Sequence, residues 1–572
     1  MALSSDVAEI DGGQITYEPS LFHYIEPSIT SNPNHPAVIV AHQDRNHLVE
    51  ITGRSSGPQS NRNSASCLTW TYIEMQHAAL KLVASLQKQG IAPGMGTLFW
   101  SSMLGKFTFS PLDVGALTTP RAAELQSVMK MLQPDAVVVP GDEGVAAVDV
   151  ALEGHAKQGV AKVSLAPTVR RTGWVTLHEL ASQPLDEVLA ARINAEAKYD
   201  DLDRTQLLYF TSGTTTGQPK GCPRTVRSVM HTIVTQTWGS QNDNSARNLL
   251  QTANFRIVAP GVAIGTWSKG GCVVMPGLTF SPSGMLEAIE RYKIRMILFI
   301  PAMVHALNAH PDFDKIDWSG LCTIFLGGDI ITEGIYQKTC AAFPGCEVIN
   351  AYGSTEGGSA FTYETEGKPG LQPIPFYAGI SPVGKVNQGT RIRIANDQNR
   401  PVKRGEVGEL HFCSPSFVTH YLNNEKPEDF YTDEHGSWFR SGDTGMINSD
   451  GWVYVLGRQK DIVKRAGIPI TPAALESCID TFLQSQSSVV ALPHEQLGQE
   501  AFAVVKSLNG KSKDDVRKQV EDLFGKDYVL CGFATLEELG LQEFPLNATG
   551  KIVKRELEGL IATFLAGTVT EK

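Results

Sequence analysis

The stretch FTSGTTTGQPKG, Phe210 to Gly221, packs three glycines, four threonines, one serine and one lysine into a dozen positions. It follows directly on the apolar run LLYF. Those residue types can cradle phosphate oxygens. Glycine lets backbone N–H groups approach closely, hydroxyls donate further hydrogen bonds, and an ammonium group neutralises charge. The same composition also describes a polar surface turn. The Gly-x-x-x-x-Gly-Lys-Ser/Thr spacing is absent, because Lys220 lies between Pro219 and Gly221. What surrounds the stretch has to decide between cradle and turn.

Outward from it, residues Thr205 to Asn350 alternate short apolar runs with helical spacing. TQLLYF reads as a strand and RTVRSVMHTIVTQTW as a helix. RMILFI precedes PAMVHALNAH, with Pro301 placed for a first helical turn. CTIFL leads into GGD, a helix is expected from Thr332, and EVINAYG follows. Apolar strands alternating with helices predict a buried, largely parallel sheet in an α/β domain. In such sheets ligands bind at loops leaving the carboxyl ends of strands, where the segments after LLYF, TIFL and EVIN fall.

After about Gly405 the pattern turns to β-hairpins, such as GELHF and MINSDGWVYVLG, with Asp450-Gly451 as the turn. The final hundred-odd residues read as a small α+β unit: PAALESCIDTFL and DDVRKQVEDLF helical, SSVVALP and EAFAVVK strands. The expected architecture is therefore a large α/β N-terminal domain, residues 1–457, with mostly parallel sheets and a β-rich subdomain. A small, mobile α+β C-terminal domain, residues 458–572, is expected to follow. The run Gly53 to Ser66 reads as a surface loop.

At 572 residues the chain exceeds one ordinary core. Its net charge of −11 offers no cationic excess for nucleic acid or an anionic membrane. Nine scattered cysteines without a Cys-x-x-Cys pair argue against a disulfide framework or a zinc site. MALSSDVAEIDGG lacks the basic and apolar regions of a secretory signal, no apolar stretch is of bilayer length, and GTVTEK is not a peroxisomal address. The cytoplasm is the expected compartment.

Four companions tip the reading of the opening stretch: NAYGSTEGG (Asn350 to Gly358), WFRSGDTG (Trp438 to Gly445), GRQKDIVKRAG (Gly457 to Gly467) and FPLNATGKIVKREL (Phe544 to Leu557). Together and in this order, the five segments resemble the acyl-adenylate-forming (AMP-binding) family, most closely its stand-alone acyl-CoA synthetases. The resemblance runs from about Leu68 to Leu557. It implies a two-step reaction. A carboxylate attacks the α-phosphorus of ATP, giving an acyl-adenylate and pyrophosphate; a thiol then takes the acyl group and releases AMP.

The resemblance also assigns roles. Thr211, Ser212, Gly213, Thr214, Thr215, Thr216, Gly217 and Lys220 would hold the β- and γ-phosphates. Tyr352 would stack on adenine beside Gly353, with Gly327, Gly328 and Asp329 along the adenine edge. Thr355 would donate to the α-phosphate, and Glu356 would ligate Mg²⁺. Asp443 would accept from the ribose hydroxyls, with Arg458 nearby. Lys551 would bridge the attacking carboxylate and the α-phosphate, Lys460 would be the hinge, and Gly467 would border the CoA pantetheine tunnel. ATP, Mg²⁺ and CoA are the implied cofactors, and a small carboxylic acid is the implied substrate.

The chain departs from the family pattern in places. SGTTTG holds one threonine more than the usual loop, so which of Thr214 to Thr216 meets which phosphate stays open. Phe255-Arg256 stands where relatives have Phe-His beside the acyl pocket, and Arg256 either pairs with a second acidic group or faces phosphate or solvent. The interval from Gly96 to Asp113 is shorter than in relatives by about a helix. Two other readings stand beside a CoA ligase: an enzyme loading a carrier protein's phosphopantetheine, and a catalytically silent binding protein. Retention of Lys551, Glu356 and Asp443 argues against silence.

Overall fold

The computed structural model describes residues 6–44, 67–91, 96–100, 113–117, 122–139, 141–153, 159–166, 168–211, 220–235, 245–252, 256–277, 280–358, 360–363, 374–466, 468–546 and 552–570. The expected surface loop at Gly53 to Ser66 lies outside them. Four large sheets organise the chain, and their strand composition explains the layering.

The first is a seven-stranded sheet in the spatial order Gly221–Thr225, Thr205–Phe210, Asp113–Leu117, Gly96–Trp100, Ala136–Val139, Ala161–Ser164, Trp174–Thr176. All neighbours are parallel except the first pair, which is an antiparallel hairpin. The AVVV of Ala136–Val139 is buried throughout, as a strand covered on both faces must be. Gly96–Trp100 and Asp113–Leu117 lie side by side and parallel; the short interval between them, noted in the sequence, lies outside the described residues.

The second is also seven-stranded: Glu347–Ala351, Thr323–Gly327, Met296–Phe299, Arg247–Leu249, Cys272–Met275, Pro36–Asp44, Cys67–Thr71. It is parallel up to the antiparallel edge strand Cys67–Thr71. The helix Val258–Ser268 buries Ala259, Val262, Ala263, Ile264 and Trp267 and carries no polar face. Such a helix belongs in an interior. It packs against the helices Phe22–Ser31 and Val226–Thr235, and the Trp267 indole donates to the Ala37 carbonyl at 2.9 Å.

The single sheet expected for Thr205 to Asn350 is therefore two. After the loop joining Thr211 to Lys220, the chain turns back antiparallel and closes the edge of the first sheet. The helix Val226–Thr235 then carries it to the second. The apolar strand–helix rhythm is the same in both sheets, so periodicity alone does not reveal the change of partner.

The β-rich part is a six-stranded antiparallel sheet containing Arg391–Ala395, Gly408–Cys413, Gly436–Ile447, Phe430–Asp433 and Val453–Arg458. Its edge is completed by Glu9–Asp11 from far upstream, where Glu9 is buried against Arg393 Nε at 2.8 Å. The last sheet pairs Ile468–Ile470, Val463–Arg465, Gly498–Val505 and Ser487–His494 in order, with Leu530–Thr535 added parallel to Gly498–Val505. The helices Pro472–Leu483, Lys513–Phe524 and Lys554–Thr570 accompany it. The four elements expected there are present. Among the described residues no helix is long and apolar enough to cross a membrane.

Candidate active site

The carboxyl ends of Thr323–Gly327 and Glu347–Ala351 lie side by side, with Gly327 paired to Ala351. A Cβ on Gly327 would sit 2.5 Å from the Ala351 carbonyl oxygen, so the close approach requires glycine. Just beyond, Ser354 to Gly357 form a tight turn. The Ser354 N–H donates to the Gly357 carbonyl at 2.7 Å, and the Gly357 N–H returns to the Ser354 carbonyl at 3.3 Å. This turn lifts Thr355 and Glu356 off the strand end, both half-buried.

Three contacts fix the turn. The Val418 N–H donates to the Glu356 carbonyl at 2.9 Å, and the Tyr421 hydroxyl donates to Glu356 Oε1 at 2.8 Å. The Phe417 ring occupies the place of a Gly357 side chain, since a Cβ there would lie 2.4 Å from its Cγ and Cδ1. Phe417 in turn stacks on Phe412 at 4.1 Å between centroids, and Phe412 on Tyr352 at 5.8 Å. A column of rings thus runs beneath the strand ends.

Tyr352 leads to the other half of the site. Its hydroxyl donates to Asp443 Oδ2 at 2.5 Å. Asp443 is 6% exposed and lies opposite Arg458 in the antiparallel sheet, with Arg458 Nε 3.1 Å from Oδ1. The Arg458 guanidinium also donates to the Ser441 carbonyl at 3.0 Å. Gly442 makes the bend at φ 67°, and its N–H donates to Glu409 Oε1 at 3.1 Å. Burial, with Asp443 beside it, raises the Tyr352 phenol well above its usual range. Burial alone would lower the Arg458 pKa, but Asp443 raises it overall.

Of the opening loop, Thr211 and Lys220 are described. The Thr211 N–H donates to the Lys220 carbonyl at 3.0 Å, and the Lys220 N–H donates to Thr211 Oγ1 at 3.3 Å, so the loop's ends are clamped. Lys220 Nζ stands 3.9 Å above the centre of the Tyr421 ring and 3.6 Å from Asp429 Oδ2. Ser212, Gly213, Thr214, Thr215, Thr216 and Gly217 lie outside the described residues, as do Phe255, Gly467 and Lys551. Two residues beyond Cys222, Arg224 is 2% exposed and donates to Ser228 Oγ at 2.6 Å; burial brings its pKa down to about 10.

The remaining expected residues are spread around this centre. Gly328 takes φ 80°, and Asp329 Oδ1 accepts the Ile330 N–H at 2.9 Å. Gly353 pairs with Gly358 across the turn. Lys460 is exposed in a turn where the Asp461 and Ile462 N–H groups return to the Arg458 carbonyl at 2.9 and 3.2 Å. Arg256 is exposed, and partial burial lowers its pKa. Sequence reasoning missed Tyr421, Phe417 and Glu409, three residues that carry the site's geometry. A lone aromatic residue before a polar turn, or an acid within a strand, has no distinguishing pattern; only the fold brings them here.

Glu356 offers a hard carboxylate with one oxygen engaged by a phenol, which leaves lone pairs for a cation. Among the described residues no cluster of three or more His, Cys, Asp or Glu could enclose a metal. A Mg²⁺ ion at Glu356 would take its other ligands from phosphate and water, as that ion commonly does. Asp443 and Lys220 fit the opposite ends of a nucleotide: a buried acceptor for hydroxyls and a cation for phosphates.

Comparison with known proteins places the chain among related enzymes. The profile of a family described as AMP-binding enzyme matches residues 59–422. An acyl–CoA ligase of Pestalotiopsis microspora is 34% identical, over 98% of this chain and 99% of that protein. A feruloyl-CoA synthase of an Amycolatopsis species is 26% identical, over 85% of this chain and 93% of that one. Among solved structures, the O-succinylbenzoate coenzyme A synthetase of Bacillus subtilis, in complex with ATP and magnesium ion, is alike in fold. It superposes with a TM-score of 0.70 at 18% identity, over 95% of this chain and 100% of that one.

Proposed function

Because the chain belongs to the AMP-binding enzyme family, and is an acid–thiol ligase that uses ATP to activate a carboxylic acid and form its CoA thioester, we propose that both half-reactions run over the site described above. The observation that carries this reading is the Asp443 carboxylate, buried between the Tyr352 hydroxyl and the Arg458 guanidinium. It is preorganised to accept the two ribose hydroxyls. Tyr352 offers its ring to adenine, with Gly327 and Gly328 along the adenine edge.

Thr355 and Glu356, lifted together by their turn, would hold the α-phosphate and a Mg²⁺ ion respectively. Bound Mg²⁺ would neutralise phosphate charge during displacement of pyrophosphate. Lys220 and the threonines before it hold the departing pyrophosphate. Lys551 stabilises the charge that builds where the substrate carboxylate meets the α-phosphorus. By family likeness, Gly467 would border the thiol's path to the acyl carbon.

Residues 1–457 form the adenylating domain in this reading, and 458–572 the mobile one. Support comes from the exposed Lys460 turn, which joins Val453–Arg458 of one sheet to Val463–Arg465 of another. Such a turn can absorb a swing between half-reactions. A cytoplasmic location is supported by nine cysteines that are all free.

Acid-dependent pyrophosphate release tests the function, run over a panel of acids that begins with ferulate, with and without CoA. Thioester formation on CoA supports the reading. Release with transfer only to a carrier-protein phosphopantetheine would favour the carrier-loading alternative, and no release with any acid would overturn adenylation.

A further inference from the structure

The two phosphate-facing motifs are not independent of each other in space. One short segment, Phe417 to Leu422, touches both. At one end the Phe417 ring fills the place of a Gly357 side chain, beside Glu356. At the other end a Cβ on Gly221 would lie 2.9 Å from Leu422 Cβ, so that glycine, next to Lys220, also exists to admit this segment. Between the two glycine contacts sits Tyr421, 1% exposed, with its ring edge-on to Phe430 at 5.2 Å. Its two ends serve different motifs: the hydroxyl donates to Glu356 Oε1 at 2.8 Å, and the ring lies 3.9 Å under Lys220 Nζ.

We propose that Tyr421 is the positioning residue that sets the metal-binding carboxylate and the phosphate-binding lysine at a fixed distance, through its hydroxyl and its ring respectively. This rests on the roles proposed above for Glu356 and Lys220. The Val418 N–H already fixes the Glu356 backbone, so the task left to Tyr421 is the carboxylate itself. A hydrogen bond from a buried donor holds one oxygen in place and leaves the other for a cation. On the second arm, Lys220 Nζ has two neighbours of different chemistry. Asp429 at 3.6 Å draws the ammonium toward the carboxylate, while the ring face at 3.9 Å holds it without neutralising it. A lysine parked on a ring face keeps its charge for an incoming phosphate; one captured by a carboxylate must first exchange partners.

The two arms can be separated with the full-length chain. Tyr421→Phe removes the hydroxyl and keeps the ring; Tyr421→Leu removes both. Mn²⁺ binding is read by electron paramagnetic resonance in the presence of α,β-methylene-ATP, and analogue binding without metal is read by calorimetry. Tyr421→Phe is expected to weaken Mn²⁺ by about tenfold while metal-free analogue affinity stays within about twofold. Tyr421→Leu is expected to weaken metal-free analogue binding as well, by roughly threefold to tenfold. Glu356→Gln is the reference. If it weakens Mn²⁺ and Tyr421→Phe does not, the hydroxyl arm is wrong while the metal role of Glu356 stands. If Glu356→Gln leaves Mn²⁺ binding unchanged, the metal role fails and this inference with it. If Tyr421→Phe weakens metal-free binding as much as Tyr421→Leu, the division of labour is overturned.

Discussion

The Tyr352 hydroxyl and the Asp443 carboxylate meet at 2.5 Å although they are carried by different sheets. Tyr352 directly follows the strand Glu347–Ala351 of the second α/β sheet, while Asp443 lies in the antiparallel sheet beside Arg458. The nucleoside end of the proposed site is therefore a seam, and its buried acceptor is held from both sides. Removing that acceptor leaves a phenol and a guanidinium without their partner, at a cost of about 1–3 kcal/mol. Asp443→Ala should raise the KM for ATP at least tenfold in pyrophosphate-release assays, with a smaller effect on kcat at saturating ATP. Tyr352→Phe keeps the ring and should raise KM by about threefold. An unchanged KM in both variants would remove the ribose role from Asp443.

Gly357 should tolerate no side chain. An added Cβ would lie 2.4 Å from the Phe417 ring, which is itself stacked on Phe412 and cannot retreat freely. Overpacking of this kind costs about 1–3 kcal/mol, and here the displaced element carries Glu356. Gly357→Ala should lower the melting temperature by a few degrees and raise the Mg²⁺ concentration needed for half-maximal adenylation. Adding Phe417→Leu should recover part of both. If the double variant is no better than the single, the clash is not the cause.

The position of Lys551 is approached through its neighbours. Leu546 pairs with Ile552, and the Val553 N–H donates to the Pro545 carbonyl at 2.8 Å, so the described residues on either side of 547–551 are paired with each other. Lys554, two residues beyond Ile552, is anchored with Nζ 2.7 Å from Glu476 Oε1 and 2.9 Å from the Val489 carbonyl. Lys551→Ala should abolish adenylation and leave thioester formation from supplied acyl-adenylate largely intact. Lys554→Met should slow adenylation by about tenfold, with the same sparing of the second step. Equal loss of both half-reactions in Lys551→Ala would sink its assigned role.

How much of this was legible in the sequence follows from range. NAYGSTEGG and WFRSGDTG announced a turn with a carboxylate each, because glycine and small polar residues mark turns locally. The meeting of Tyr352 with Asp443 spans 91 positions, and no local pattern encodes it. Leu207, Leu208 and Tyr209 looked the same as Ile297, Leu298 and Phe299, yet they line different sheets. Tyr421 was invisible for a related reason. Its two contacts come from Glu356 and Lys220, each on another element, and its own surroundings HYLNNE read as an ordinary polar turn.

Asp480 gives the clearest pH dependence. Burial in the helix Pro472–Leu483 pushes its carboxyl up to about 8, and Glu476 one turn earlier adds to the shift. Its Oδ1 is sealed from solvent with no hydrogen-bond partner among the described residues. The groups facing it are Glu476 on its own helix, which raises the carboxyl further, and Ser487 on the neighbouring strand, whose hydrogen bonds lower it without cancelling the burial. In the unfolded chain an aspartate loses its proton near pH 4. Between about pH 4 and 8 the folded state thus holds a proton that the unfolded state has released, so stability falls as pH rises through that window and levels off above it. Asp480→Asn stays neutral in both states. It should change the melting temperature little at pH 4.5 and raise it by about 3–6 °C at pH 8.5. Scanning calorimetry at the two pH values checks this; an equal gain at both would mean that packing, and not ionisation, sets the effect.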